Sequence, residues 1–366
     1  MACPFAQLSP LLLLSFLVLF LQFGASFFSP KPIIASLHRG RSIAGSTSSR
    51  NRGASPPPHH KGSRTGSGAT GGRAEGDGSS GPRMLNAAVV LAPPEAEVST
   101  EEDIEGDPFP WTESLSSGEP LQYSGLLRWQ VSALQIGLGL DRLPCPSGLG
   151  AVFNVEKKAR ARNLVYAGGR VRKLRMSYLD SPGMQVLSSI AYGNKGHDFP
   201  LLGVSAMAMG RARFVALDLQ PLFAGDAYAA KYSEVYSRMK AIRNKYPQMG
   251  QGLQKDYFKG SPFFSDTMLY ARWGPDDEAS GFMQNVVVPA FQECVQVYID
   301  LVNRAPEPEH APGSAEERSI LERQAEFDRF HAEREQVRPV MTSNFGSAWT
   351  DSYISDFLFA YGGGRR

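Results

Sequence analysis

The chain has 366 residues with 38 Lys or Arg and 36 Asp or Glu, and its two ends differ in charge. Residues 1–84 carry nine basic and two acidic residues, which leaves 29 basic against 34 acidic residues in the remainder. A mildly acidic body argues against a general nucleic-acid binder, and three isolated cysteines form neither a disulfide framework nor a metal or iron–sulfur motif.

The first 84 residues have the composition of two targeting segments. Residues 11–21 form an apolar run, which predicts a signal peptide over residues 1–25. The tract that follows is rich in Ser, Gly, Pro and Arg and has no acidic residue before Glu75, which predicts a disordered plastid transit peptide over residues 26–84. This order resembles the leaders of algae whose plastids lie inside extra membranes, so we expect a mature protein in the plastid stroma with no membrane segment. A secreted protein with a disordered stalk is the alternative, and the few cysteines weigh against it.

The body of the chain begins with an acidic, Pro-rich stretch over residues 85–120, which we expect to be a flexible lead-in. Apolar residues at helical spacing then predict a first helix over residues 121–138. Short runs rich in Val, Leu, Phe, Tyr and Ala follow, separated by turn residues such as Gly168 and Gly169, and they predict an antiparallel meander. The predicted strands span residues 151–156, 162–167, 171–179, 185–192, 201–208 and 213–219.

Helical patterns dominate after Pro221. Helices are predicted over residues 226–246 and 289–304, over residues 314–335 behind a capping box that begins at Ser314, and near residues 350–359. A run of strands followed by a run of helices predicts an α+β fold, a three-layer α/β/α sandwich whose central antiparallel sheet has helices on both faces. The domain is predicted to span residues 121–360.

Several motifs occur in a characteristic order along this domain. They include MQVL at 184–187, HDFPLLG at 197–203 and ALDLQP at 216–221, and SPFFS, PAFQE, YIDLV and FGSAWTDSYISDFLF follow downstream. In order and spacing they resemble the ferredoxin-dependent bilin reductases, over about residues 121–360. The helical motifs are most similar to the members that form phycoerythrobilin from 15,16-dihydrobiliverdin.

The resemblance implies two single-electron transfers from reduced ferredoxin to a linear tetrapyrrole, each matched by a proton. Because the substrate is itself the redox-active group, no bound cofactor or metal is expected. Ferredoxin is the implied partner, and a handover of substrate from the preceding bilin reductase is a further expectation. Two alternatives stay open: another specificity, such as biliverdin to 15,16-dihydrobiliverdin or to phytochromobilin, and a non-catalytic bilin carrier or lyase-type protein.

Two aspartates are the predicted proton donors. Asp300 lies beside the apolar stripe of its helix, one turn after Gln296, where a carboxylate can face a pocket. Asp180 lies at a strand end that the resemblance places near the bilin. The alternatives are an exposed helix carboxylate for Asp300 and a turn residue for Asp180.

Substrate-binding residues are predicted on the sheet and beside it. Ser188 and Ser205 occupy positions where relatives carry His and an acidic residue, and a hydroxyl there can only form hydrogen bonds. His197 in the FPLLG turn and Gln296 are further candidates. The bilin propionates need cations, and the predicted cluster contains Arg172, Lys173, Arg175, Arg211 and Arg213, of which Arg175 and Arg213 are the named candidates. For acidic ferredoxin the densest basic run is Lys157, Lys158, Arg160 and Arg162, followed by Arg238, Lys240, Arg243 and Lys245.

Overall fold

The computed structural model describes residues 107–250, 261–308 and 311–360. The predicted signal peptide, the predicted transit peptide and residues 85–106 of the predicted lead-in therefore lie outside the described residues. Those that are described belong to the second of two units of the chain, Ala92–Arg366.

An antiparallel β-sheet forms the centre of this unit. Every strand pair is antiparallel, strands β3 to β8 lie side by side in chain order, and β1 and β2 both pair with β3 at one edge. The predicted meander is confirmed, and Gly169 occupies the left-handed region at φ 53° in the β3–β4 turn. The strands are β1 Asp141–Leu143, β2 Ala151–Asn154, β3 Ala159–Gly168, β4 Val171–Ser181, β5 Met184–Gly193, β6 Leu201–Met209, β7 Ala212–Gln220 and β8 Leu269–Trp273. The short strands β1 and β8 were not predicted.

The helices follow the predicted order with local changes. Residues 226–246 form two helices that meet at Tyr232, instead of one. Ser314 caps α6, because its Oγ accepts a hydrogen bond from the backbone N–H of Glu317 at 3.2 Å. No helix of the described residues is long and apolar enough to cross a membrane. The helices are α1 Ser124–Leu138, α2 Asp226–Lys231, α3 Ser233–Lys245, α4 Pro275–Ala279, α5 Val288–Arg304, α6 Ala315–Glu333, α7 Arg338–Phe345 and α8 Ser347–Ser352, with π-helical turns at Met283–Val287 and Tyr353–Leu358 and a 3-10 turn at Pro247–Gly250.

Helices contact both faces of the sheet. On one face, here the α1 face, Gln130 of α1 donates to Ser189 Oγ at 3.0 Å. On the other face, here the C-terminal face, Tyr353 donates to Ser177 Oγ at 2.8 Å and the Lys173 ammonium donates to the Phe357 carbonyl at 2.8 Å. The predicted α+β class is therefore confirmed.

Residues 107–123 form a strap across the α1 face. Phe109 and Trp111 are buried, and the Arg160 guanidinium lies 4.1 Å from the centre of the Trp111 ring. Arg128 of α1 donates hydrogen bonds to the carbonyls of both aromatic residues. The strap differs from the predicted flexible lead-in, because burial of two aromatic side chains offsets the entropy lost on ordering the segment.

Asp180 attaches the strap to the sheet. Its fully buried carboxylate accepts hydrogen bonds from Ser114 Oγ at 2.7 Å, from the Leu115 N–H at 2.9 Å and from Arg160 Nε at 3.1 Å. Arg160 also donates to the Glu113 carbonyl. The predicted role of Asp180 as a proton donor is not supported, since its side chain lies on the α1 face and its oxygens are occupied by structural contacts.

We predict that Asp180→Asn lowers the free energy of unfolding by about 3–5 kcal/mol, because it leaves the buried Arg160 charge uncompensated. Urea unfolding measures the change. The matched control is Glu307→Gln, which removes the carboxylate of a surface ion pair with Arg170 whose acidic side chain is 82% exposed; we expect it to cost no more than about 1 kcal/mol. Equal losses in the two variants would contradict the prediction.

Candidate active site

The C-terminal face is covered over β4 and left open over β6 to β8. A single row of paired residues shows the change: Ser177 is buried, Ser188 is half-buried and Ser205 is exposed, although Ser205 lies in the middle of its strand. The row continues through Ala216 to Tyr270, both half-buried. We call these residues the open row. They form a surface of hydroxyl and apolar groups beside the C-terminal segments, by which we mean the helices and turns of residues 311–360. Such a surface suits a flat, largely apolar ligand.

Arg175 lies at the closed end of the open row. Its side chain is 2% exposed, its Nη1 donates to Ser188 Oγ at 3.0 Å, and its guanidinium lies 5.1 Å from the centre of the Phe359 ring. Its Nε is buried without a hydrogen-bond partner, and among the described residues no carboxylate forms an ion pair with it. Because a buried guanidinium is costly without an acceptor, this arrangement is suited to binding a carboxylate or carbonyl oxygen of a ligand.

Glu335 is the acidic residue of this site. It follows α6, is half-buried, and accepts a hydrogen bond from the Val337 N–H at 3.1 Å. Burial raises the pKa of Glu335, and the hydrogen bond from the Val337 N–H and the positive charge of Arg175 only partly offset this effect. A carboxyl group with a raised pKa can hold a proton and donate it. The sequence gives no signal for Glu335, because the run HAERE is typical of an exposed charged helix.

Three of the predicted substrate-binding residues come together here, and Arg213 does not. Arg175, Ser188 and Ser205 lie on the C-terminal face. Arg213 occupies a position of β7 whose side chain points away from the C-terminal face, so it lies on the α1 face. There its Nη1 donates a hydrogen bond to the Gly210 carbonyl at 2.8 Å. The two predicted propionate ligands are on opposite faces and cannot bind one substrate together.

Asp300 and Gln296 lie elsewhere, on α5. Asp300 accepts hydrogen bonds from Arg238 of α3 at 2.6 Å and from Gln296 at 2.9 Å. Partial burial raises the pKa of Asp300, but the hydrogen bonds from Gln296 and Arg238 outweigh it and leave the pKa below its ordinary value. Asp300 is thus an ionised ion-pair partner, the opposite of what its predicted role as a proton donor needs.

His197 is buried, stacked on Phe199 with ring centres 5.4 Å apart, and lines a separate cleft with Asp300. The cleft has a volume of about 1120 Å³, and its cations are paired with carboxylates: Lys231 with Asp198, Arg238 with Asp300 and Arg304 with Glu234. Because these cations are already neutralised, the cleft is less suited to binding an anionic ligand than the surroundings of Arg175 are.

The predicted basic patch for ferredoxin is smaller than expected. Arg160 and Arg162 are buried, and Arg162 Nε donates to the Pro108 carbonyl of the strap. Lys157 and Lys158 are the exposed members of that run. The two arginines lie at alternate positions of β3 that face the strap, so they are covered by it.

Asp218 is a second acidic residue on the C-terminal face, at the end of β7. It accepts hydrogen bonds from Ser265 N–H at 2.9 Å and Ser265 Oγ at 2.5 Å, and it is almost completely buried. Burial raises the pKa of Asp218 to about 7, even though the hydrogen bonds from Ser265 act in the opposite direction. Its enclosure and its hydrogen bonds from Ser265 indicate a structural carboxyl.

An α+β domain with an open sheet face, a buried guanidinium without an ion pair and a carboxyl group of raised pKa is suited to binding and protonating an anionic or carbonyl-bearing ligand. Within residues 107–250, 261–308 and 311–360, no three His, Cys, Asp or Glu side chains are grouped so as to hold a metal ion. The sequence model of the family described as "Ferredoxin-dependent bilin reductase" matches residues 130–360. The chain belongs to this family, and it is an oxidoreductase that acts with ferredoxin.

Curated relatives bear two names. The 15,16-dihydrobiliverdin:ferredoxin oxidoreductase of Gloeobacter violaceus is 29% identical over 245 residues, which cover 65% of this chain and 94% of that protein. The phycoerythrobilin:ferredoxin oxidoreductase of Nostoc punctiforme is 26% identical over 245 residues, with 65% and 92% covered. Among solved structures, phytochromobilin synthase from tomato in complex with biliverdin has the same fold, with a TM-score of 0.56, 19% identity, and 67% and 86% of the two chains covered.

We predict that Arg175→Met weakens tetrapyrrole binding by about tenfold to a hundredfold, because it removes a charge-assisted hydrogen bond while keeping the side-chain volume. Absorption titration with biliverdin measures the affinity. Arg213→Met is the matched control on the opposite face and should leave the affinity unchanged. Equal weakening by both substitutions would argue against binding on the C-terminal face.

A second prediction concerns pH. The unfolded chain ionises Asp218 near its ordinary pKa of about 4, whereas the folded protein keeps the proton up to about pH 7. The stabilisation from the protonated group is therefore fully present below pH 4 and is lost as the pH rises to 7, a change of at most about 4 kcal/mol. In Asp218→Asn this part of the pH dependence of urea unfolding should disappear. An unchanged slope between pH 4 and 7 would contradict the assignment.

Proposed function

We propose that the chain reduces 15,16-dihydrobiliverdin to phycoerythrobilin, taking two electrons from ferredoxin and adding two protons. The observations that carry the proposal are the buried guanidinium of Arg175 at the closed end of the open row, the raised pKa of Glu335 within reach of its charge, and membership of the family. Relatives named for phycoerythrobilin support this product. The pigment is the redox-active group, so we propose that the protein needs no bound cofactor of its own.

A second reaction is favoured by a different observation. Six of the relatives, 28–31% identical to this chain, are named 15,16-dihydrobiliverdin:ferredoxin oxidoreductase. Their names favour 15,16-dihydrobiliverdin as the product, formed from biliverdin. The same residues would serve either reaction, since both add two electrons and two protons to a linear tetrapyrrole.

The proposed roles divide between two kinds of group. Arg175 anchors an oxygen of the pigment and fixes its orientation, while Ser188 and Ser205 supply hydrogen bonds along the open row. A serine hydroxyl has too high a pKa to protonate a bilin radical, so the proton comes from Glu335, whose pKa is raised by burial. After each electron arrives, Glu335 passes one proton to the pigment and regains one from solvent.

We also propose that residues 1–84 direct the protein to the plastid stroma, where it receives its substrate from the preceding bilin reductase. The support is the composition of this leader alone, an apolar run followed by a tract without acidic residues before Glu75. A fluorescent protein fused after residue 84 should accumulate in the plastid, and secretion of the fusion would contradict this proposal.

Product analysis separates the two reactions. The purified full chain is mixed with reduced ferredoxin and either biliverdin or 15,16-dihydrobiliverdin, and products are separated by chromatography. We expect phycoerythrobilin from 15,16-dihydrobiliverdin. Conversion of biliverdin alone would instead establish the second reaction, and binding of pigment without turnover would establish a carrier.

We predict that Glu335→Gln lowers the rate of reduction by about a hundredfold or more, since it removes the general acid but keeps the shape of the side chain. A bilin radical should accumulate in the variant and be visible by absorption and electron paramagnetic resonance. Asp300→Asn is the control: it disrupts the ion pair with Arg238 and should leave turnover within about threefold of wild type. Loss of turnover in Asp300→Asn with normal turnover in Glu335→Gln would reverse the assignment.

A further inference from the structure

His331, in the last turn of α6, is enclosed by aromatic side chains. Its ring lies 4.3 Å from the Phe327 ring, measured between centres, and it stacks at 16° to the ring of Phe359 at 6.1 Å. The remaining members of this cage are Phe263, Phe264 and Phe330, at 6.3, 5.7 and 5.2 Å. A cage of this kind fixes the plane of the imidazole and leaves it little freedom to rotate.

The imidazole has no hydrogen bond to the described residues. Its Nε2 is buried without a partner. Burial, reinforced by the positive charges of Arg175 and Arg334, lowers the pKa of His331 to about 3, so the ring is neutral near pH 7. An enclosed nitrogen without a partner costs free energy, and a Phe or Leu would fill an aromatic cage without that cost. The position therefore carries a polar group that the fold does not use.

His331 belongs to the wall of the site described above. The Phe359 ring that stacks on His331 also lies 5.1 Å from the Arg175 guanidinium. Glu335 follows His331 by four residues, and both feel the charge of Arg175. Arg175 and His331 thus flank one aromatic ring at the closed end of the open row, and Glu335 lies within reach of the charge of Arg175.

We propose that His331 is a substrate-binding residue, whose neutral imidazole forms a hydrogen bond with a pyrrole N–H or lactam carbonyl of the linear tetrapyrrole. The proposal rests on the proposed function. A neutral imidazole carries one donor and one acceptor, and the pyrrole edge of a bilin presents both kinds of group. Because His331 does not hold a second proton, it positions the pigment while Glu335 remains the proton source.

The test compares two substitutions in the full chain. His331→Leu places an apolar side chain in the cage and removes the proposed hydrogen bond. His331→Gln introduces an amide that can still form one. Biliverdin and 15,16-dihydrobiliverdin are titrated by absorption, KM and kcat are measured with reduced ferredoxin, and stability is measured by urea unfolding. We expect His331→Leu to bind both pigments about tenfold more weakly, with the loss mainly in KM and a shifted absorption band of the bound pigment.

We expect His331→Gln to bind within about threefold of wild type, and the urea midpoint of His331→Leu to equal or exceed that of wild type. The inference is overturned if His331→Leu binds both pigments as wild type does. It is also overturned if His331→Leu loses stability and affinity together and His331→Gln restores neither, since that result describes a structural residue. A wild-type protein that binds neither pigment would instead refute the proposed function, and the role of His331 with it.

Discussion

Strand alternation is the constraint on which the rest of this molecule depends. Successive side chains of β4 point to opposite faces of the sheet. Arg175 and Asp180 are five residues apart, an odd separation, so they lie on different faces. Asp180 neutralises Arg160 beneath the strap, and the two form a buried, fully bonded pair. Arg175 on the other face has no such partner. One strand thus contributes an anchor for the fold on its α1 face and an uncompensated cation on its C-terminal face.

The C-terminal segments give that cation its setting. They cover β4, where Tyr353 bonds Ser177, and leave Ser205 exposed two strands away. Arg175 lies where the covered part of this face gives way to the open row, with His331 and Glu335 nearby. Each of these three groups is buried at a cost in free energy when no ligand is bound. The guanidinium lacks an ion pair, the imidazole lacks a hydrogen bond, and the carboxyl group is desolvated. Groups of this kind cluster where a ligand supplies the missing partner.

The sequence predicted the secondary-structure elements, which have local periodic signals. It did not predict the features that depend on contacts between distant residues. Period-two patterns located six strands, and Ser314 located the start of α6, because both signals are local. The choice between faces was not local. Asp300 lies beside an apolar stripe, yet its partner Arg238 is 62 residues away, and only packing of α3 on α5 reveals an ion pair. Glu335 had the opposite problem, since its charged neighbours resemble a solvated helix while the fold buries it.

The serines of the open row bear on where the proposed protonation would take place. Ser177, Ser188 and Ser205 span three strands, and none can release a proton to a radical near neutral pH. If the tetrapyrrole lies along this row as proposed, the proposed acid Glu335 is at one end of it, near Arg175. The part of the pigment that receives the proton is then set by which end of the molecule Arg175 and His331 hold. Regiochemistry in this protein would follow from the orientation of the bound substrate, and not from a choice among several acids along the sheet.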